Sequence, residues 1–491
     1  MKRIIFLSVF FAAALVSCRK IEVDGETVVI NPPGGGSGTP GRQTITLRGR
    51  IDSNMTLIPA NDYVLDGLVY IMANRTLTIQ PGVTVKANFT GSNVAALVIT
   101  RDAKINASGT ATAPVIFTSG NPNPRSGDWG GIVILGRATV NSTSTAGAGT
   151  FVVEGGVNTT DNLGVAGGTN DDDSSGVLRY ARIEYAGYAF QPDQEINSLT
   201  MAAVGRKTVI EYVQVSYAKD DAYEWFGGTV NARYLVAYKT QDDDFDTDNG
   251  YSGSVQYGLI VRDSSIADVS RSEAFESDND ASGTTNTPKT LAVFSNVTAI
   301  GPRATTSNIG NSLYLAGAQI RRNSGISIYN SVFLGWPQGL LLDDSRGLVW
   351  DDVNDSTIRF AGNLIAGSSN GGVSTAFGYT AGTGSTGSQS AVQTHFSNSF
   401  YRNTVLANNE QVGYTRPFDY INPDFSPFAS ATVNIPGFPG GPNPIVGAGN
   451  VTFTDTRIAA RTYIQATNFR GAVGPSGEAN NWYKGWTRFG N

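Results

Sequence analysis

Ile210-Glu211-Tyr212-Val213-Gln214-Val215-Ser216-Tyr217-Ala218 restates Leu178-Arg179-Tyr180-Ala181-Arg182-Ile183-Glu184-Tyr185-Ala186 at an offset of 32. The aromatic of this pattern recurs at Tyr234, Tyr257, Phe294, Tyr329 and Phe360, with gaps of 22, 23, 37, 35 and 31. A second register runs between these. Tyr223-Glu224-Trp225-Phe226-Gly227-Gly228 aligns with Phe245-Asp246-Thr247-Asp248-Asn249-Gly250 after 22 residues, and with Phe275-Glu276-Ser277-Asp278-Asn279-Asp280 after a further 30. Internal register is constant while spacing is not. Stacked coils behave this way, because insertions leave at turns without disturbing the stack. Propeller blades demand four antiparallel strands per unit and more even spacing. The fold class expected is all-β: a right-handed parallel β-helix solenoid over residues 43–370, with a loop and a carboxy-terminal capping region over 371–491.

The earlier part of the chain agrees. Short apolar runs such as Thr76-Leu77-Thr78-Ile79, Ala96-Leu97-Val98-Ile99 and Ile132-Val133-Ile134-Leu135 alternate with turn residues such as Pro81-Gly82. Gly numbers 58 of 491 residues and charged residues are 15%, a composition poor in helix formers but with enough apolar content for a large core. The formal charge of -6 leaves no basic footprint for nucleic acid. One Cys and one His exclude a disulfide scaffold and a zinc cluster.

That Cys is Cys18. Lys2 and Arg3 precede an apolar run, Ile4 to Val16, too short to span a bilayer. Leu15-Val16-Ser17-Cys18 resembles a bacterial lipobox, so residues 1–17 read as a lipoprotein signal peptide and Cys18 as the lipidated first residue. Residues 18–42, with Asn31-Pro32-Pro33-Gly34-Gly35-Gly36, read as a Gly/Pro tether. The expected location is the outer membrane, at the cell surface or on its periplasmic side, with the membrane contacted through the lipid.

Residues 60–370, carrying Thr76-Leu77-Thr78-Ile79-Gln80-Pro81-Gly82, Gly127-Asp128-Trp129-Gly130-Gly131 and Asp220-Asp221-Ala222-Tyr223-Glu224-Trp225-Phe226-Gly227-Gly228, resemble right-handed β-helix lipoproteins of Bacteroidota, a family mostly of unassigned function. Phe469-Arg470-Gly471-Ala472 and Trp482-Tyr483-Lys484-Gly485-Trp486 are similar to that family's ending. The resemblance implies fold and envelope location. Trp482 and Trp486 are expected to pack on the last coil, covering an open solenoid end.

Chemistry is sparse. His395, the only His, lies in the tail without a motif and reads as a surface or packing residue. Acid density stands out instead. Asp244, Asp246 and Asp248 alternate, so on a strand all three would share a face. Stacking would place Glu224, Asp246 and Glu276 on adjacent coils, and Asp248 over Asp278. Like carboxylates about 5 Å apart raise one another's pKa unless a cation lies between them. Ca2+ favours such oxygen clusters. Two readings stand: a Ca2+ site of Glu224, Asp244, Asp246, Asp248, Glu276 and Asp278, or a solvated acidic face. Asp171-Asp172-Asp173, Asp343-Asp344 and Asp351-Asp352 read as solvated turns.

Two functions follow. The first is a binding or structural module for a glycan or an envelope protein, with Tyr223, Trp225 and Tyr251 as sugar-stacking rings if they do not point inward. The second is a polysaccharide lyase or glycoside hydrolase acting in the strip 220–280. The second requires a basic group beside the carboxylates; Arg262 and Lys239 are the candidates by register.

Overall fold

A computed structural model describes residues 20–23, 26–31, 42–91, 94–142, 149–191, 194–428, 432–433, 441–446 and 455–490. Cys18 and the signal segment lie outside them. The chain builds one 28-stranded sheet. Its pairings are parallel throughout the coils, and the inferred register holds: Leu178 pairs with Ile210, and Tyr223 with Phe245 and then Phe275. A right-handed path is the one that parallel crossovers take almost without exception.

Each coil has three faces. One ladder runs through Ala96–Ile99, Gly131–Leu135, Leu199–Ala202, Tyr223–Phe226, Phe245–Asp248, Phe275–Ser277, Ala318–Arg321, Leu340–Asp343 and Phe377–Thr380. The other two faces are made by long strands that bend midway, such as Val209–Ser216, Asn231–Tyr238 and Ser254–Val261. The bend falls on Tyr180, Tyr212, Tyr234 and Tyr257, all left-handed, with φ between 46° and 62°. A non-glycine residue there costs about 1 kcal/mol or more. Stacking of the tyrosine rings, at 4.3, 4.4 and 4.9 Å between centroids, offsets that cost. The aromatic series does not continue as the spacing suggested. By register the bend passes to Asn296, while Phe294 pairs with Val255 and points into the core. Asn296 and Asn330 take the same left-handed conformation, which Asn tolerates without ring support.

The coil interior is a continuous apolar column. Tyr223, Trp225, Phe245, Phe275, Phe294, Phe333 and Phe360 are all fully buried and touch ring to ring.

Both ends differ from expectation. Lys20–Val23 and Glu26–Asn31 form a hairpin whose second strand pairs antiparallel with Thr44–Thr46, so part of the anticipated tether covers the edge of the first coil. At the other end the stack outlasts residue 370: Phe377–Thr380 and Thr404–Leu406 add further rungs. Helix Gln389–Ser397 rests there, with Phe396 against Phe360 and Phe377. His395 stands among Trp350, Phe396 and Tyr401, the packing role anticipated for it. Trp482 and Trp486 are buried, but not on the last coil. Residues 455–490 run back along the flank of the stack. Trp486 meets Tyr180 and Tyr212 edge-on, and Trp482 meets Tyr234. Arg461 donates to the Ser252 and Leu291 carbonyls, and the Arg488 N–H to Gln214 Oε1. The reason is chemical: the bend tyrosines offer an apolar ring surface that needs a cover.

Candidate functional site

The acids gather where the ladder through Tyr223–Phe226 passes beneath the long insertions. Strand alternation turns Tyr223 and Trp225 inward and Glu224 outward; it treats Phe245 and Asp246, and Phe275 and Glu276, in the same way. Glu224, Asp246 and Glu276 therefore form one outward rung series, continued by Gln319. Asp248 lies over Phe226 on the next outward position, with Asp278 beyond it.

The turn before each strand adds a second row that the sequence analysis passed over. The Asp221 N–H donates to Asn197 Oδ1 at 3.2 Å, the Asp243 N–H to Asp221 Oδ1 at 2.9 Å, and the Glu273 N–H to Asp243 Oδ1 at 2.6 Å. Each side chain thus caps the next coil with one oxygen. Asp220 and Asp242 stand beside this row. Asn197 also donates to Glu224. Three groups of carboxylate oxygens come within 4.8 Å of one another: Asp220 with Asp221 and Asp242, Asp221 with Glu224 and Asp246, and Asp243 with Glu273 and Glu276.

Insertions wall the strip. Glu154 and Glu195 approach it from the segment 149–197. Ser270, in the loop 263–274, donates to Asp242. The carboxylates respond to crowding. Burial and then Asp268 push Asp242 up to about 7, while burial and then Asp278 push Asp248 up to about 8. Asp220, Asp221, Glu224, Asp243, Asp246 and Glu276 all rise well above the carboxylate range, burial leading in each case and neighbouring carboxylates adding to it. Among the described residues no Lys or Arg forms an ion pair with Asp220, Asp221, Glu224, Asp242, Asp243 or Asp246. Asp246 Oδ1 is buried without a hydrogen-bond partner.

Several anticipated roles change. Asp244 does not join Asp246 and Asp248. The strand begins at Phe245, so Asp244 sits in the turn and pairs with Arg262 at 3.1 Å, both side chains fully buried. Arg262 lies 5.1 Å over the Tyr314 ring and cannot act as a base in the strip. Lys239 pairs with Asp263 at 3.2 Å beside Tyr217 and Tyr238, away from the strip. Glu276 and Asp278 belong to the strip but meet cations of the protein: Arg321 pairs with Glu276 and with Asp278 (2.8 Å), and Arg322 with Asp278. Tyr223, Trp225 and Tyr251 are fully buried core rings and cannot stack on a sugar. The Asp171–Asp173 turn is more than solvated: Asp171 accepts from Thr139, and Asp173 from the Arg137 N–H.

Fold and site together define a parallel β-helix with an acidic strip on one face. A family profile described as pectate-lyase like beta helix domain matches residues 49–399, most of the chain. The protein belongs to that family. No curated protein matches it. No helix among the described residues is long and apolar enough to cross a membrane.

Proposed function

We propose that this chain is a lipid-anchored binding module of the outer envelope whose acidic strip engages its partner with the help of Ca2+ held by Asp221, Glu224 and Asp246. The observation that carries the reading is the approach of these three carboxylates within 4.8 Å, with no ion pair to any of them among the described residues. Ca2+ takes six to eight oxygens at about 2.4 Å, so a shell of that diameter accepts all three. Asp220 and Asp242 are near enough to complete it. The lipobox and Cys18 support anchoring, and the elongated strip suits an extended partner, a glycan strand or a segment of another envelope protein. Thermal unfolding of the mature chain with calcium and with a chelator tests the reading. The midpoint should rise with calcium and the rise should shrink in Asp246→Asn; an unchanged wild-type midpoint refutes it.

One observation favours the enzymatic alternative. Arg321 stands beside Glu276 and Asp278, so a basic group does border the carboxylates. A polysaccharide lyase or glycoside hydrolase would lose turnover of acidic polysaccharides in Arg321→Gln and Asp246→Ala. Its ion pairs already engage Arg321, and binding is the reading adopted.

A further inference from the structure

Of the three carboxylate groups, two share no residue. One is the set of Asp221, Glu224 and Asp246. The other is Asp243, Glu273 and Glu276, one coil further on. Glu273 is 1% exposed and Asp243 5%. Glu273 Oε1 is buried and receives no hydrogen bond, although its backbone N–H is used by Asp243. A buried carboxylate oxygen without a donor is a costly arrangement, and its neighbours here are two more acids. Arg321 acts on Glu273 through its charge but forms its ion pairs with Glu276 and Asp278.

From this we infer that the acidic strip holds a second Ca2+, coordinated by Asp243, Glu273 and Glu276 and structural in role. The inference adds to the proposed calcium-dependent binding and rests on it only for the identity of the ion. Asp243 comes from one coil and Glu273 and Glu276 from the next, after the loop 263–272. An ion here ties the base of that loop to the stack. Three oxygens within 4.8 Å of one another again fit inside a calcium shell.

Native mass spectrometry of the mature chain with added Ca2+ counts the ions, and calorimetric titration resolves their affinities. Two ions are expected. Glu273→Gln should retain one, and Asp246→Asn should retain the other. Should Glu273→Gln fail to fold, Asp243→Asn serves, since its amide oxygen still accepts the Glu273 N–H. A wild-type count of one, lost in Asp246→Asn and kept in Glu273→Gln, would overturn the second site and leave the proposed function standing. A count of zero would remove both.

Discussion

Replacing Arg262 by methionine strands a carboxylate in the core. Asp244 and Arg262 are each fully buried and face one another at 3.1 Å, with the Tyr314 ring over the guanidinium. A buried pair contributes little net stability over an apolar pair of equal volume. Removing one partner, however, leaves an uncompensated charge worth about 3–5 kcal/mol. Arg262→Met should therefore lower the urea midpoint sharply, while Arg262→Met combined with Asp244→Leu should recover to within ~1 kcal/mol of wild type. Burial already lifts Asp244 to about 6 against the pull of Arg262, so losing the guanidinium lifts it further. The deficit of Arg262→Met should then shrink at pH 5, where a protonated Asp244 needs no partner. A double-mutant cycle at pH 8 and pH 5, followed by tryptophan fluorescence, measures all of this. The reasoning fails if the single variant is no worse than the double, or if its deficit is the same at both pH values.

Asp242 and Asp248, raised to about 7 and about 8, make the calcium-free protein more stable as pH falls from 8 toward 5. The folded state binds protons there that the unfolded carboxylates, with pKa near 4, do not, so stability declines as pH rises. Melting scans in chelator should show this slope and calcium should flatten it; a midpoint that falls on acidification contradicts it. Trp225→Ala opens a cavity in the aromatic column and should cost about 3–5 kcal/mol, read as a lower denaturation midpoint, without altering the number of bound calcium ions. Trp486→Ala uncovers Tyr180 and Tyr212, so limited proteolysis should clip residues 455–490 faster than in wild type while the coils resist.

The stack was legible because register is written directly into residue order: once Tyr223, Phe245 and Phe275 align, Glu224, Asp246 and Glu276 must too. The same rule misled at Asp244. Alternation was extended one residue past the start of the strand, where the turn redirects the side chain to Arg262. Asp220, Asp221, Asp242, Asp243 and Glu273 could not be assigned to the site because they sit in turns, where no period marks direction. Their signal was present nonetheless, in the paired acids Asp220-Asp221 and Asp242-Asp243 at the same offset of 22. Arg321 and Arg322 could not be foreseen as partners of Asp278, for they arrive from 43 and 44 residues away after an insertion of irregular length. Tyr223 and Trp225 were open to either face on composition; the alternation that sends Glu224 outward decides them.

The returning segment 455–490 changes how such a rod must be made. In a plain solenoid each winding locks onto its predecessor as the chain emerges, and the end can fray winding by winding. Here Arg461, Trp482 and Trp486 fasten windings formed from residues 180 to 291, which are completed long before their fastener exists. Until then the ring edges of Tyr180, Tyr212 and Tyr234 lack their cover. Closing that seam converts a row of neighbours into a buckled belt.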